Sequence, residues 1–253
     1  MDRTLGARTA VVWAVLRREL DRAGPGPLTV LDVGGGTGGF AVPLAMAGHR
    51  VTVVDASPDA LAALTRRAAE AGVADRVAAV QGDADAIAEL VEPEHADLAL
   101  CHSVLEVVDD PAGAVKALAG SLRPGAAASV LVANRVAAVL ARAITGHLPA
   151  ATALLADPDG GEPAGARPRD AVRRRYDAAT ANGLLRAAGL VVEEIHGVRV
   201  IADLVPGTVA DADPQALVAF ELAAADRSPY RDIATQLHLL ARRPAGVDHR
   251  AAA

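Results

Sequence analysis

The stretch that most constrains this chain is Asp32-Val33-Gly34-Gly35-Gly36-Thr37-Gly38-Gly39, with five glycines in six residues. Before it, Leu28, Thr29, Val30 and Leu31 read as a short buried strand that Gly34 ends. After it the pattern turns helical, with Phe40, Leu44 and Ala47 on one side. A strand, a glycine turn and a helix make a cradle: glycine allows positive φ and close backbone approach, and a helix N-terminus presents free N–H groups. An idle turn seldom needs so many glycines.

Two ligand classes fit this cradle. Gly34, Gly36 and Gly39 satisfy G-x-G-x-x-G, and Asp55 ends the next strand, as a dinucleotide fold requires. Asp32, two residues before the first glycine, would be poorly placed beside a pyrophosphate because like charges repel. It suits a cationic ligand, one bearing an amino group and a sulfonium. In this form the segment resembles the first motif of the class I S-adenosylmethionine (SAM) methyltransferases. The resemblance implies that Asp32 lies near the methionine moiety and that Asp55 holds the ribose hydroxyls.

Along the chain, residues 4–23 read as an amphipathic helix with Val12, Leu16 and Leu20 on one stripe. Strands are expected at 51–54, 76–80, 96–101, 127–133, 190–201 and 235–241. Ser57-Pro58, Asp110-Pro111 and Asp213-Pro214 each pair an N-cap with a first-turn proline. Strands alternating with helices at this spacing predict an α/β fold, a Rossmann-like seven-stranded, mostly parallel sheet with helices on both faces. Ligands of such sheets bind beyond the carboxyl ends of the strands, where Asp32, Asp55, Asp83 and His102 all fall. The organisation expected is an N-terminal helix or lid (1–27), a SAM-binding core (28–133), an insertion for substrate recognition (134–177), completion of the sheet (178–244) and a tail (245–253). The insertion holds a Gly/Pro-rich stretch and then Arg167, Arg169, Arg173, Arg174 and Arg175, either a solvated face or a clamp for an anion or an RNA backbone.

Composition narrows the partners. Cys101 is the sole cysteine, which excludes a disulfide framework and a cysteine zinc site and points to a cytoplasmic, reducing compartment. Aromatic residues are 2%, few for stacking on bases, and a net charge of −6 does not favour a general nucleic-acid binder. No segment reads as a secretory signal or a bilayer span, so no membrane partner is expected.

A closer likeness runs over most of the chain. Val30-Leu31-Asp32-x-Gly34-Gly35-Gly36, His102-x-Val104-Leu105-Glu106-x-Val108, Leu122-Arg123-Pro124-Gly125, Gly197-Val198-Arg199-Val200 and His238 with Arg242-Arg243-Pro244 are similar to the tRNA 5-carboxymethoxyuridine methyltransferase family. That family methylates a carboxylate on the wobble uridine. The resemblance implies Arg8 on the SAM carboxylate, Gly34 and Gly35 against the methionine part, Asp55 on the ribose, Asp83, Ala84 and Asp85 at the adenine edge, and His102 near the sulfonium. Gly36 belongs to the same cradle. For the acceptor the candidates are Asn134, Arg175, Tyr176 and Arg199. Three departures stand out: little of the family's N-terminal lid precedes Arg8, Ala126 replaces the second glycine after Pro124, and Arg175-Tyr176-Asp177 stands where the family has Pro-Arg-Asp.

Methyl transfer from SAM is an in-line displacement, so orientation carries most of the catalysis. A carboxylate, pKa about 4, is already ionised and needs no base, whereas a phenol at about 10 or an alcohol would need one such as His102 or His147. No metal site is expected; Asp109-Asp110 is the one candidate, and Asp110 is already a helix cap. The acceptor is either tRNA or an anionic small molecule, the latter as in O-methylation of specialised metabolites.

Overall fold

In the computed structural model, which describes residues 6–156 and 174–245 (for Val209 the backbone alone), the chain opens with helix α1 (Ala10–Ala23) and then alternates strand and helix. The order is β1 (Thr29–Val33), α2 (Ala41–Met46), β2 (Arg50–Asp55), α3 (Pro58–Glu70), β3 (Val77–Gln81), α4 (Ile87–Leu90), β4 (Ala96–His102), α5 (Pro111–Ser121) and β5 (Leu122–Ala133). It continues through α6 (Arg135–Ile144), α7 (Leu148–Ala156), α8 (Ala178–Ala187), β6 (Val191–Val198), α9 (Gly207–Ala212), α10 (Pro214–Ala224), α11 (Tyr230–Ile233) and β7 (Gln236–Arg242).

The described residues form a seven-stranded sheet in the order β3-β2-β1-β4-β5-β7-β6. Strands β1 to β5 pair in parallel, and β7 runs antiparallel between β5 and β6. This is the expected Rossmann-like, mostly parallel sheet. Because side chains alternate along a strand, each face collects its own apolar set. One face carries Leu31, Val33, Cys101, Val130, Val132, Leu237 and Leu239 against α5 and α8. The other carries Val30, Val51, Val53, Leu98, Leu100, Leu131 and Leu240 against α1, α2 and α3. The second face is interrupted by buried polar residues: Asp32, Ser129 and His238 are each at most 2% exposed.

The Pro-preceded caps form as their sequences predict. Ser57 Oγ accepts the Ala60 amide at 3.2 Å, Asp110 the Gly113 amide at 3.0 Å and Asp213 the Ala216 amide at 2.9 Å. Several expected boundaries move, and β5 begins at Leu122 rather than at residue 127. Helix α1 starts at Ala10 rather than residue 4, with Arg8 in the turn before it and residues 1–5 outside the described ones. Strand β6 stops at Val198 rather than 201, because Arg199 takes φ +61° and the Glu221 carboxylate captures the amides of Val200, Ile201 and Ala202 at 2.8, 2.9 and 2.8 Å. Helices α6 and α7 lie within the segment 134–177 read as an insertion. The Gly/Pro-rich stretch 157–168, with Arg167, Arg169 and Arg173, lies outside the described residues, as do 246–253. Among the described residues no helix is long and apolar enough to cross a membrane.

Candidate active site

The carboxyl ends of β1, β2 and β4 converge where the glycine turn crosses the sheet edge. The Gly34 amide donates to the Val54 carbonyl at 2.7 Å, which stitches the turn to β2, and Gly34 takes φ +66°. A side chain there would run into Val104. At Gly35 a Cβ would lie 2.5 Å from Asp32 Oδ2 and 2.9 Å from Val53. These glycines are therefore required by close approach as well as by conformation. Asp55 ties the second strand to the same turn: Oδ2 accepts the Gly36 amide at 2.9 Å and Oδ1 the Ser57 amide at 2.9 Å.

Two cavities meet over this turn, sharing Gly34 and Ser103. The larger, about 680 Å³, is rimmed by acids, with Asp55, Asp83, Asp85, Glu89 and Asp109 around Ala84, Val104 and Val108. The smaller, about 340 Å³, is lined by Arg8, Asp32, Gly35, Phe40, His102, Arg199 and Gln236 among others. An acidic, roomy half and a narrower half with two guanidinium groups suit an elongated ligand carrying charges of both signs at different points.

Asp32 is the most perturbed acid. Burial, and secondarily the charge of Asp55, push its carboxyl up to about 7, and Oδ2 is enclosed without a partner among the described residues. An orphaned carboxylate oxygen beside a cavity is poised for a cation. His102 closes β4, and burial pulls its imidazole down to about 4, partly opposed by its hydrogen bond with Ser129. Its Nε2 lies 2.8 Å from Ser129 Oγ, which lies 2.8 Å from His238 Nε2. Phe40 packs edge-on against the His102 ring at 4.7 Å and stacks on Trp13 at 5.0 Å, an aromatic row joining α1 to the end of β4. Asp203 bridges the two arginines, 3.2 Å from Arg8 and 2.6 Å from Arg199.

The structure thus brings together Arg8, Asp32, Gly34, Gly35, His102 and Arg199 on one cavity and Asp55, Asp83, Ala84 and Asp85 on the other, with Gly36 bonded to Asp55 beneath them. Three acceptor candidates are placed elsewhere. Asn134 is 2% exposed and fully engaged: Nδ2 donates to the Asp232 and Ala234 carbonyls at 2.9 and 2.7 Å, and Oδ1 accepts the Val136 amide at 3.0 Å. Tyr176 is buried with its hydroxyl on the Leu105 carbonyl at 2.9 Å. Arg175 lines neither cavity, and its charge acts on buried Glu106. Asn134 and Tyr176 hold the fold, because polar groups buried at a strand–helix junction must first satisfy backbone. Arg174, also of the arginine run, is occupied with the carbonyls of Val108 and Asp109. His147 is exposed and lines neither cavity.

Sequence reasoning missed Ser103, Gln236 and Asp203. Ser103 takes φ +58°, an uncommon conformation for a residue with a side chain, and its hydroxyl accepts from Gln236 Nε2 at 3.1 Å. Its position one residue beyond a strand end was the available signal. Gln236 and Asp203 gave none, since β7 and the turn after β6 reach the site only through the fold. Burial, with Glu106 and Asp32 nearby, pushes the Cys101 thiol up, which leaves it inert as a nucleophile. Among the described residues no cluster of His, Cys, Asp and Glu is arranged to hold a metal ion.

Comparison with known proteins places this geometry. The methyltransferase-domain family matches residues 31–130. The tRNA 5-carboxymethoxyuridine methyltransferase of Escherichia coli (strain K12) is 30% identical over 242 residues, covering 95% of this chain and 90% of that protein. A ubiquinone biosynthesis O-methyltransferase of Xylella fastidiosa (strain 9a5c) is 33% identical over 172 residues, 67% of this chain and 63% of that one. Among solved structures, an S-adenosylmethionine-dependent methyltransferase from Mesorhizobium loti shares the fold with a TM-score of 0.62 at 23% identity, over 94% of this chain and all of that one.

Proposed function

The chain belongs to the class I SAM-dependent methyltransferases, and from that premise we propose that it methylates a carboxylate oxygen on a carboxymethoxyuridine-type nucleoside of tRNA. The observation that carries the acceptor class is the pairing, on one cavity, of Arg199 with a His102 whose basicity is pulled down to about 4. So weak a base is ill-matched to a phenol or an alcohol, since general bases work best with a pKa near the operating pH. A carboxylate is ionised already, and a guanidinium orients it.

The cradle fits SAM on the features described. Asp32 offers an orphaned carboxylate oxygen to a cation, and Gly34 and Gly35 line the same cavity with backbone rather than side chain. Arg8 would take the SAM carboxylate, with Asp32 beside the amino end and Gly34 and Gly35 under the methionine chain. Asp55 would hold the ribose, Asp83, Ala84 and Asp85 would edge the adenine, and His102 would lie near the sulfonium. When bound, SAM supplies a methyl group made electrophilic by its positive sulfur.

The protein's part is alignment. Arg199, braced by Asp203 at 2.6 Å and near Gln236 at 3.5 Å, would grip the acceptor carboxylate and aim one oxygen along the line of displacement. Holding two reactants in a near-attack arrangement supplies most of the advantage such a reaction needs. No proton leaves a carboxylate nucleophile, so no base has to be regenerated.

The test is methyl transfer from labelled SAM to total tRNA and to a small-metabolite extract, both from cells lacking this gene. Label in tRNA that is released by mild alkali identifies a methyl ester and supports the proposal. Label in small molecules alone favours the second reading, small-molecule O-methylation, to which the likeness to the ubiquinone biosynthesis enzyme lends weight.

A further inference from the structure

We propose that Ser129 and His238 are positioning residues that fix the ring of His102 in the tautomer protonated on Nδ1, so that His102 meets the acceptor as a hydrogen-bond donor; this rests on the carboxylate reading above. The sheet sets the geometry. In register, His102 on β4 stands opposite Leu131 on β5, Leu131 opposite His238 on β7, and His238 opposite His196 on β6. Ser129, two residues before Leu131 on the same face, reaches both rings, with Oγ 2.8 Å from His102 Nε2 and 2.8 Å from His238 Nε2.

A serine hydroxyl carries one proton. Between two neutral imidazoles it donates to one Nε2 and accepts from the other, so the two rings hold opposite tautomers. Burial keeps both rings neutral. The choice between the two arrangements follows from what else each ring meets. His238 is fully buried, and its Nδ1 has no partner among the described residues. The nearby ring of His196, 5.7 Å away between centroids, directs its Nε2 to Glu194 at 3.1 Å, and its own Nδ1 is likewise unpartnered.

A proton on His238 Nδ1 would be an orphaned buried N–H, rarer and costlier than an unserved lone pair. With its proton on Nε2 instead, His238 donates to Ser129. Ser129 then donates to His102 Nε2, and the His102 proton resides on Nδ1. That Nδ1 is likewise enclosed and without a partner among the described residues, so the two rings differ in depth alone. His238 is fully buried and lines neither cavity, whereas the His102 ring is half-buried and lines the smaller one, the side from which a bound molecule can approach it. The polar line running inward from β4 thus converts His102 from a potential base into a donor, which favours an acceptor presenting lone pairs over one presenting a hydroxyl proton.

The experiment is long-range proton–nitrogen NMR on the full chain with 15N-labelled histidine, without SAM or acceptor. The expected result is His102 protonated on Nδ1 and His238 on Nε2; the reverse pair, or two like tautomers, overturns the proposal. In turnover with tRNA, Ser129→Ala is expected to lower kcat about tenfold, the loss of one hydrogen bond, with the KM for SAM unchanged. Ser129→Thr, which keeps the hydroxyl, is expected to restore the tautomer pattern and most of kcat; a Ser129→Ala protein with wild-type kcat overturns the proposal. The tautomers are read with no acceptor present, so the expected pattern in a protein that methylates only small molecules would retire the tRNA reading and leave this one standing.

Discussion

Asp55 Oδ2 accepts the Gly36 amide at 2.9 Å, so the acid that ends β2 is fastened to the glycine turn that ends β1. The same carboxylate anchors the start of α3 through the Ser57 amide and still borders the larger cavity. Replacing it with alanine removes two backbone contacts together with the proposed ribose contact. Asp55→Ala is expected to weaken SAM binding by ~1.5–3 kcal/mol, the scale of hydrogen bonds to a charged group. Isothermal calorimetry reads this directly, and an unchanged affinity would show that the ribose is held elsewhere.

Gly35 makes a sharper structural test because nothing beside it can yield cheaply. A methyl there would press on Asp32 and on Val53, both set in the central strands of the sheet. Gly35→Ala is expected to cost about 1–3 kcal/mol of stability, as overpacking does, and to abolish measurable SAM binding. Gly183→Ala in α8, where nothing lies within 4 Å, serves as the control and is expected to be neutral or to stabilise by about 0.5–1 kcal/mol. Thermal melts with and without S-adenosylhomocysteine compare the two, and equal behaviour would refute the steric account.

What could be read from the sequence and what could not divide along a physical line. The glycine turn and the Pro-preceded caps act within a few residues of themselves, so local pattern reveals them, and Asp55 was legible from its place at a strand end. The ends of β1, β2 and β4 were also legible, because an α/β alternation fixes where ligands must lie. Asn134 and Tyr176 mark the limit of such reading, because a polar residue beside a strand end looks the same in sequence whether it faces a ligand or caps a helix. Ser129 and Asp203, and the bond that ties Ser129 to His238, were opaque for the opposite reason. They matter through β5–β7 pairing and the turn after β6, contacts between residues tens of positions apart whose register no local pattern announces.

Glu221 illustrates such a long-range dependence. It is fully buried on α10, and its carboxylate accepts three successive amides in the turn that presents Arg199 at φ +61°. Glu221→Ala leaves those donors without their acceptor and is expected to cost about 2–4 kcal/mol in urea denaturation. Because the turn carries Arg199, the KM for the acceptor is expected to rise more than the KM for SAM. A variant as stable as wild type, or one in which both KM values move together, would separate Glu221 from the placement of Arg199.

Asp32 predicts how binding and stability depend on pH, and with opposite signs. Its carboxyl is pushed from an ordinary value of 3.8 to about 7, first by burial and then by Asp55. A raised carboxyl pKa means that the folded, ligand-free protein prefers the protonated acid. Asp32 therefore contributes stability that is complete below the unfolded value and is lost progressively as pH rises from about 4 through about 7. A cationic ligand reverses the preference, since it is attracted only to the ionised form. SAM affinity is accordingly expected to strengthen as pH rises through about 7, with proton release on binding below that point, and then to level off. Asp32→Asn should remove both dependences: the free protein becomes more stable than wild type at pH 8, while SAM binds more weakly there and without the inflection near 7. Calorimetry in buffers of different ionisation enthalpy counts the proton, and melting across pH 5–9 follows the stability. An affinity profile for wild type that is flat from pH 6 to 8 would mean that Asp32 does not face the cation.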